Sequence, residues 1–584
     1  MKLKGGMGSA QIVCSLEEVS LDDKIKYEAL SYVWGTSPER ITIKCGSGEL
    51  HITVSLHSAL SALRHRITGS RVLWADAVCI NQNDIPERQK QVRLMGELYS
   101  RAQYVYIWLG NDCEEEALNA HALLMQFNRT CRKSIEAGTS DSITMAKAVR
   151  LGLKSWESLA QLLNRPWFGR TWIIQEAVNA RKTLIVAGKQ RMSIDWLLTA
   201  AYYIRHFNMM GILGSYGAFE GIAIIQSIEK FKNRNDIQPR SEEEELLSAL
   251  VSTRGPGATD PRDKLYGILG LVSETAASPF AVDYSISTVD LYLKLAQHFL
   301  AIDGLRFLCC ASVVPEDHPV QTPSWVPNWA HRGLGPMTMK HCYFAASGST
   351  SPAAVINQDG KHISVRGKIV DTVLIREKDF HPTILDPAWL DKYLPFENPS
   401  QVEKAQRITQ CIALAFGDHA LGCCSIPEDQ YEAFVRMLFC NMGDDGNEAA
   451  TETVDLVGRY LTHSLRVSSM SREDIASYLN TMTPNTIEDL VQGEKRLDAN
   501  FFGTFGLTES GRWGWFPLNL VQVGDVVALF YGSNSPFLLR HAGTASVDKV
   551  GETLQYQLVG EAYVHGVMKG EALQQDKAET ITLC

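Results

Sequence analysis

Residues 71–110 read RVLWADAVCINQNDIPERQKQVRLMGELYSRAQYVYIWLG, and this stretch decides the fold class. Its first part, 72–80, is apolar except for Asp76, which predicts a parallel strand covered on both faces. A carboxylate inside a buried strand is costly unless it is paired. Asp76 is therefore either hydrogen-bonded for structural reasons or held for function.

The polar loop that follows predicts a helix and then a second strand. Asp84 has the chemistry of an N-cap, and Glu87 three residues later predicts a capping box. Apolar residues then recur at helical spacing, which predicts a surface helix that packs one face on the sheet: Val92, Met95, Tyr99 and Ala102. Residues 104–109 are β-rich, so the stretch forms a parallel βαβ unit and the fold class is α/β.

Polar side chains gather where the predicted strand ends. In an open parallel sheet, ligands bind at the carboxyl ends of the strands. This places Cys79, Asn81, Gln82 and Asp84 at the rim of any site.

Composition and charge narrow the class of protein. The chain has 584 residues and a formal net charge of −10, which argues against a nucleic-acid partner. Thirteen cysteines without a CxxC pair predict reduced thiols, and the amino terminus lacks the apolar run of a signal peptide, so we expect a cytoplasmic protein. Residues 207–228 are apolar but interrupted, which favours a buried helix over a membrane span.

Further elements precede and follow this unit. Residues 27–35, YEALSYVWG, predict the first strand, with Ser31 and Trp34 near its end, and residues 41–54 predict a hairpin. Residues 164–180, NRPWFGRTWIIQEAVNA, are dense in aromatic side chains, which suggests packing against the sheet. Residues 254–271, RGPGATDPRDKLYGILGL, combine a Gly/Pro loop with arginines and aspartates, and an internal clamp is one interpretation.

Several of these motifs, in this order, resemble the fungal heterokaryon incompatibility (HET) domain. The motifs are YEALSYVWG, LWADAVCINQND, QVRLMGELYSRA, VYIWLG, RPWFGRTWIIQEA and DPRDKLYGILGL, and the late segments GDVVALFYG and YQLVGEAYVHGVMKGEAL look like the tail of multidomain members. The resemblance implies a protein that triggers growth arrest or cell death when genetically unlike hyphae fuse. It constrains the fold better than the activity.

The HET domain is in turn similar to the Toll/interleukin-receptor (TIR) fold, which implies a flavodoxin-like parallel sheet. Several TIR domains cleave NAD with a glutamate that follows a tryptophan on a helix, and Trp172 and Glu176 match that arrangement. The resemblance thus implies Glu176 as a catalytic candidate, with NAD as a substrate. Asp76 is the second catalytic candidate, because a carboxylate within a buried strand is costly unless it is paired or held for function. The ligand-binding candidates are Ser31, Trp34, Cys79, Asn81, Gln82 and Trp172.

Three functional interpretations stay open from the sequence. The first is an incompatibility effector that acts by NAD cleavage or by assembly, although Trp167, Phe168 and Trp172 can equally be core and Glu176 can pair with Arg170 or Arg165. The second is a non-catalytic protein that forms homo-oligomers or binds other incompatibility proteins. The third is a small-molecule enzyme of secondary metabolism with an interdomain pocket, for which Glu561 and His565 are further acid–base candidates.

The sequence predicts four regions. Residues 1–200 form the HET domain, 201–330 a helical extension, 331–490 a mainly helical middle region and 491–584 a small β-rich domain, either a barrel or a sandwich. No metal site is predicted, because histidines and cysteines do not cluster at ligand spacing.

Overall fold

A computed structural model gives the fold in two compact units, 1–287 and 288–584. It describes the whole chain except residues 7–9, 66–68, 140, 208, 215, 234–241, 332–343, 378–406, 409–410, 413, 417–426, 444–446, 469–480, 499–502, 546–552 and 574–577. The predicted four-region boundaries stay a prediction.

The first unit is built on a sheet of nine described strands. They are β1 (Lys2–Lys4), β2 (Val13–Ser15), β3 (Glu28–Tyr32), β4 (Arg40–Cys45), β5 (Gly48–Thr53), β6 (Ser70–Trp74), β7 (Val105–Gly110), β8 (Thr183–Ala187) and β9 (Gln190–Ser193). Their order across the sheet is β5-β4-β2-β1-β6-β3-β7-β8-β9. The four strands β6, β3, β7 and β8 are parallel, and antiparallel pairings of β1 with β6 and of β9 with β8 flank them. The predicted α/β class is confirmed, in a mixed sheet.

The strand expected from residue 27 lies inside the parallel core. The prediction that it comes first in the chain is wrong, because β1 and β2 precede it and join the same sheet. The predicted hairpin is confirmed as β4 and β5, whose Ile41 and Ile52 lie opposite each other.

The strand predicted for residues 72–80 is shorter than expected. It ends at Trp74, and Asp76 and Cys79 belong to a one-turn helix rather than to a buried strand. The Asp76 carboxylate accepts the backbone N–H of Ala77 at 2.7 Å, and the carbonyl of Ala75 accepts the N–H of Cys79 at 2.8 Å. Local side-chain and backbone bonds of this kind compete with pairing to a neighbouring strand, so the apolar run leaves the sheet early.

The following helix begins as predicted. Asp84 is its N-cap, and the Asp84 carboxylate accepts the N–H of Glu87 at 3.0 Å. The predicted capping box is wrong in its return contact, because Glu87 accepts the N–H of Asn81 at 2.9 Å instead of that of Asp84. The loop turns back on itself through the Asp84 N–H and the Asn81 carbonyl, which brings the Asn81 amide to the helix start.

Helices cover the sheet of the first unit. They are α1 (Val54–Leu63), α2 (Asp76–Cys79), α3 (Ile85–Arg101), α4 (Glu114–Glu136), α5 (Asp141–Val149), α6 (Leu153–Leu163), α7 (Trp172–Val178), α8 (Ile194–His206), α9 (Met210–Gly214), α10 (Phe219–Lys232), α11 (Glu242–Ser252), α12 (Asp263–Tyr266) and α13 (Glu274–Ala277). The apolar stretch 207–228 contains α9 and most of α10 rather than one buried helix. Among the described residues, no helix has the length and apolar character needed to cross a membrane.

One face of α3 packs on the sheet as predicted. Met95 and Tyr99 are buried in an apolar cluster with Ala29 and Val105. The opposite face is not simply in water, because later chain segments reach it. Arg93 donates to the carbonyl of Val282 at 2.9 Å, and the guanidinium of Arg88 lies 4.6 Å from the centre of the Tyr284 ring.

The second unit carries another sheet with nine described strands: β10 (Ala354–Ile356), β11 (Ile363–Arg376), β12 (Thr504–Thr508), β13 (Trp513–Phe516), β14 (Val526–Phe530), β15 (Phe537–Ala545), β16 (Thr553–Glu561), β17 (Tyr563–Val564) and β18 (Glu579–Leu583). Its order is β14-β15-β16-β18-β11-β12-β13-β17, and β14 also pairs with β11. That extra pairing closes a ring, so the predicted β-rich end is a barrel. The long strand β11 comes from the region expected to be mainly helical.

The described helices of the second unit are α14 (Thr288–Asp303), α15 (Glu428–Leu438), α16 (Thr451–Ser468) and α17 (Pro484–Asp498). Three of them fall between residues 428 and 498, which agrees with a helical middle region. Their core includes Phe434 and Leu461, which cluster with Trp515 of β13.

Candidate functional site

The candidate site lies at the topological switch point of the parallel strands, where the order in which the chain adds strands reverses. From β3 the chain passes to β6 on one side, and it later enters β7 on the other side of β3. The loops after β3 and β7 therefore diverge, and such a switch point at the carboxyl ends of parallel strands is where α/β proteins bind ligands. Ser31 and Tyr32 are the last residues of β3 at this point.

Three buried side chains meet there. The indole N–H of Trp167 donates to Ser31 Oγ at 2.7 Å, and the Ser31 hydroxyl donates to the carboxylate of Glu176. Ser31 and Trp167 are each 1% exposed and Glu176 is 3% exposed. Ser31 and Glu176 are 145 positions apart in sequence, so only the fold brings the two together.

Burial controls the acid–base behaviour of Glu176. It raises the pKa of this carboxyl from 4.5 to about 7, with a smaller upward effect from Asp76. The positive charge of Arg170 and the Ser31 hydrogen bond act in the opposite direction. A carboxyl group with a pKa close to neutrality can both take up and release a proton at physiological pH.

The arginines near Glu176 have distinct roles. Arg170 donates to the carbonyl oxygen of Tyr32, and its charge lowers the pKa of both Glu176 and Asp76. Arg165 pairs with Asp112 instead of Glu176. Its Nη1 donates to Asp112 Oδ2 at 3.0 Å, and its Nε donates to the carbonyl of Leu109 at 3.2 Å.

Asp76 forms the rim of the same neighbourhood. Its Oδ2 accepts the indole N–H of Trp34 at 2.9 Å, and its backbone carbonyl accepts the side-chain amide of Gln82 at 3.1 Å. Burial raises the pKa of Asp76, while Arg170 and the Trp34 hydrogen bond lower it. Trp34 is 37% exposed, so the rim faces solvent while Glu176 does not.

The other predicted site residues bond to groups outside the Ser31–Trp167–Glu176 cluster or are exposed. The indole N–H of Trp172 donates to Asp263 Oδ2 at 3.1 Å, and its ring packs against the apolar cluster under α3. Cys79 Sγ accepts the N–H of Ala75 at 3.5 Å. Asn81 is exposed and lines a surface depression of about 450 Å³ with Asn83, Asp84, Ile85 and Pro86.

Residues 254–264 hold the segment before α7, and we call them the clamp. An internal clamp was one interpretation of this part of the sequence. The N–H of Gly257 donates to the carbonyl of Gly169 at 2.7 Å, and the N–H of Thr171 donates to the carbonyl of Gly257 at 2.9 Å. The ammonium of Lys264 donates to the carbonyl of Arg254 at 2.7 Å, which fixes the loop in turn. This clamp holds the start of the helix that carries Glu176.

Asp263 completes the clamp. One of its oxygens accepts the Trp172 indole, and the other accepts the hydroxyl of Tyr284 at 2.7 Å. Burial raises the pKa of Asp263, and these two hydrogen bonds lower it. Arg262 pairs with Asp260 at 2.7 Å and donates to two carbonyls of the 284–286 segment.

The sequence did not predict Trp167 or Asp263 as parts of the neighbourhood, whereas Arg170 was already a possible partner of Glu176. The available signal was the density of aromatic and arginine residues in 165–172 together with the DPRDK motif. That signal shows which side chains are available but not which of them meet. Their partners are distant in the chain: the sequence separation is 136 positions from Ser31 to Trp167 and 91 positions from Trp172 to Asp263.

Two further candidates lie in the second unit. Glu561 is buried and accepts the hydroxyl of Ser535 at 2.9 Å. Burial lowers the pKa of His565, which lies 3.5 Å from the hydroxyl of Tyr563. The interpretation as a small-molecule enzyme with an interdomain pocket stays a prediction. Across the described ranges, no group of three or more histidine, cysteine, aspartate or glutamate side chains could hold a metal ion.

Comparison with known proteins agrees with the motifs. Residues 27–176 match the family model of the heterokaryon incompatibility protein (HET), and residues 502–583 match that of the Het-6 beta-barrel domain. The chain is 25% identical to heterokaryon incompatibility protein 6, OR allele, of Neurospora crassa, in an alignment that covers 98% of this chain and 93% of that protein. No solved structure matches. The resemblance to the HET domain that was inferred from the sequence is confirmed.

Proposed function

We propose that this chain, which carries a HET domain and a Het-6 β-barrel domain, is a heterokaryon-incompatibility effector that acts by assembly with a protein partner. The similarity to the Neurospora crassa protein runs through almost the full length of both chains, which supports the biological role. The observation that supports assembly as the mode of action is the burial of Ser31, Trp167 and Glu176. A carboxylate that is 3% exposed does not meet a substrate, whereas an intact surface can meet a protein.

A flavodoxin-like or TIR-like core fits this proposal. When β3, β6, β7 and β8 are numbered one to four along the chain, their order in the sheet is 2-1-3-4. This is the beginning of the flavodoxin-like order 2-1-3-4-5. The antiparallel β9 takes the fifth place, so this chain departs from the all-parallel pattern at that edge.

The proposal is tested by expressing the chain in a fungal host and measuring growth arrest and cell death after fusion with unlike strains. An effector that acts by assembly keeps its activity when Glu176→Gln removes the charge but retains the shape of the side chain. Glu157→Gln is the matched control, because Glu157 is an exposed glutamate on α6. Loss of the growth response in Glu176→Gln alone would contradict assembly as the mode of action.

NAD cleavage is the second candidate, and the pKa of Glu176 near 7 at the switch point favours it. On this candidate the Pro166–Gly169 segment moves away and uncovers Glu176. The carboxylate then stabilises the positive charge that develops on the ribose as nicotinamide leaves and water adds. Nicotinamide release by the wild type, but not by Glu176→Gln, would establish this activity. Absence of release from the wild type removes it.

A further inference from the structure

The long helix α4 has an unusual outer face. Six side chains alternate in steps of three and four residues along one line of the helix, and all are exposed: Glu115, Leu118, Ala122, Met125, Arg129 and Arg132. Leu118 is 51% and Met125 is 48% exposed. Steps of three and four that repeat over several turns are the spacing by which one helix packs along another.

A different line of side chains on the same helix packs against the core. Buried positions on α4 follow the same three-four steps displaced by two residues: Ala117, Ala120, Leu124, Phe127, Cys131 and Ser134. A displacement of two residues rotates the position by about 200° around the helix axis. The exposed line, which we call the outer stripe, therefore points away from the core, and packing within the first unit does not account for it.

The charges on the outer stripe are distributed by sign. Glu115 lies at the amino end, Arg129 and Arg132 lie near the carboxyl end, and the apolar positions lie between them. A helix with this order complements a copy of itself that runs in the opposite direction. We infer that two copies of this chain associate through antiparallel contact of their outer stripes.

The register of this contact follows from the spacing. Glu115 meets the partner's Arg132, Leu118 meets the partner's Arg129, and Ala122 meets the partner's Met125. A two-fold axis repeats each pair, so the interface holds two ion pairs around an apolar centre. The aliphatic part of the arginine side chain covers Leu118 while its guanidinium stays in water.

Neighbouring groups are compatible with this register. Trp196 of α8 lies beside the stripe, 38% exposed, with its ring 6.2 Å from the ring of His121. It adds an aromatic surface of the kind that is common in protein interfaces. Arg132 already lies 3.9 Å from Glu136, but both side chains are 66% exposed. An ion pair this exposed contributes little to the stability of the fold, so Arg132 can turn to the partner.

The inference rests on the proposed function in one respect only, that an effector acting by assembly needs a surface on which to assemble. Association is tested on the purified full chain by sedimentation velocity over about a hundredfold range of concentration. Glu115→Arg and Arg132→Glu are the test variants. Each turns two attractive contacts into two repulsive ones, so each raises the dissociation constant about thirtyfold.

The double variant Glu115→Arg/Arg132→Glu is the decisive one, because the two reversals restore opposite charges across the two-fold axis. We expect its dissociation constant to return close to the wild-type value. Ala122→Arg places a long charged side chain at the apolar centre and abolishes the dimer. Glu157→Arg, the same charge change on the exposed face of α6, leaves association unchanged.

A wild-type chain that is monomeric at all concentrations overturns the inference, and so does a dimer that neither Ala122→Arg nor the single reversals weaken. Unchanged thermal melting of the variants confirms that they fold. The two proposals fail in different ways. A monomer that still arrests growth leaves the effector role intact, and a charge-dependent dimer without a growth response leaves the interface intact.

Discussion

The protonation of Glu176 makes the stability of the first unit depend on pH. The pKa of this carboxyl is about 7 in the folded chain and 4.5 when it is exposed to solvent. Between these two values the folded state binds more protons than the unfolded state, so stability falls as the pH rises. The decline begins near pH 4.5, ends above pH 7, and amounts to about 3 kcal/mol.

Glu176→Gln removes this titration. The amide has nearly the same shape as the protonated acid, and its oxygen can accept the Ser31 hydroxyl as the carboxylate does. We therefore expect the variant to lose the Glu176 part of the pH dependence and to be more stable than the wild type at pH 8. At pH 4 the two proteins should have similar stability.

Hydrogen–deuterium exchange read by mass spectrometry suits this measurement, because the chain has two compact units and one global unfolding transition need not report on the site. Peptides from β3 and α7 report on the neighbourhood of Glu176 after correction for the intrinsic effect of pH on exchange. The free energy of the opening that exposes these peptides to exchange should fall between pH 4.5 and pH 8. The fall should be about 3 kcal/mol larger in the wild type than in the variant.

Glu157→Gln controls for the loss of a glutamate charge as such, since Glu157 is exposed on α6. It should keep the wild-type pH dependence in the peptides of β3 and α7. The reasoning is refuted if Glu176→Gln also keeps it, because burial of the carboxylate would then not be the cause.

Three other substitutions test the surrounding structure by thermal melting of the full chain. Trp172→Phe removes the indole N–H that donates to Asp263 at 3.1 Å. It should lower the free energy of unfolding by about 1–3 kcal/mol, because the buried carboxylate loses a hydrogen bond. An unchanged melting temperature would mean that the clamp does not hold α7. Gly221→Ala places a Cβ 2.9 Å from the Cβ of Leu163 and closer still to its carbonyl oxygen, and should cost about 1–3 kcal/mol by forcing α10 away from α6. Asp84→Ala removes the N-cap of α3 and should cost about 1 kcal/mol, which Asp84→Asn should largely restore.

Local patterns predicted several elements correctly because their causes are local. The N-cap at Asp84 and the β4–β5 hairpin each depend on residues within a few positions of one another. The end of β6 could not be placed in the same way. Residues 72–80 are almost uniformly apolar, and an apolar run of this length fits a buried strand or a strand followed by a turn of helix.

The candidate site could be predicted only as a collection of residue types. Ser31 and Glu176 were both candidates, and the fold joins them by a hydrogen bond that the sequence did not indicate. Trp172 was paired with Glu176 because four residues separate them on a helix, yet its indole hydrogen-bonds to Asp263. Spacing places two side chains on one helix face, but distant segments decide which groups each side chain then bonds.

The sequence by itself determined the α/β class, the order of the HET motifs and the β-rich end of the chain, because periodicity, caps and turns act over short distances. Tertiary structure alone decided that Glu176 is buried with a pKa near 7, and that Arg165 pairs with Asp112 rather than with Glu176. Desolvation and long-range charge depend on what the whole fold packs around a group. No stretch of residues contains that information on its own.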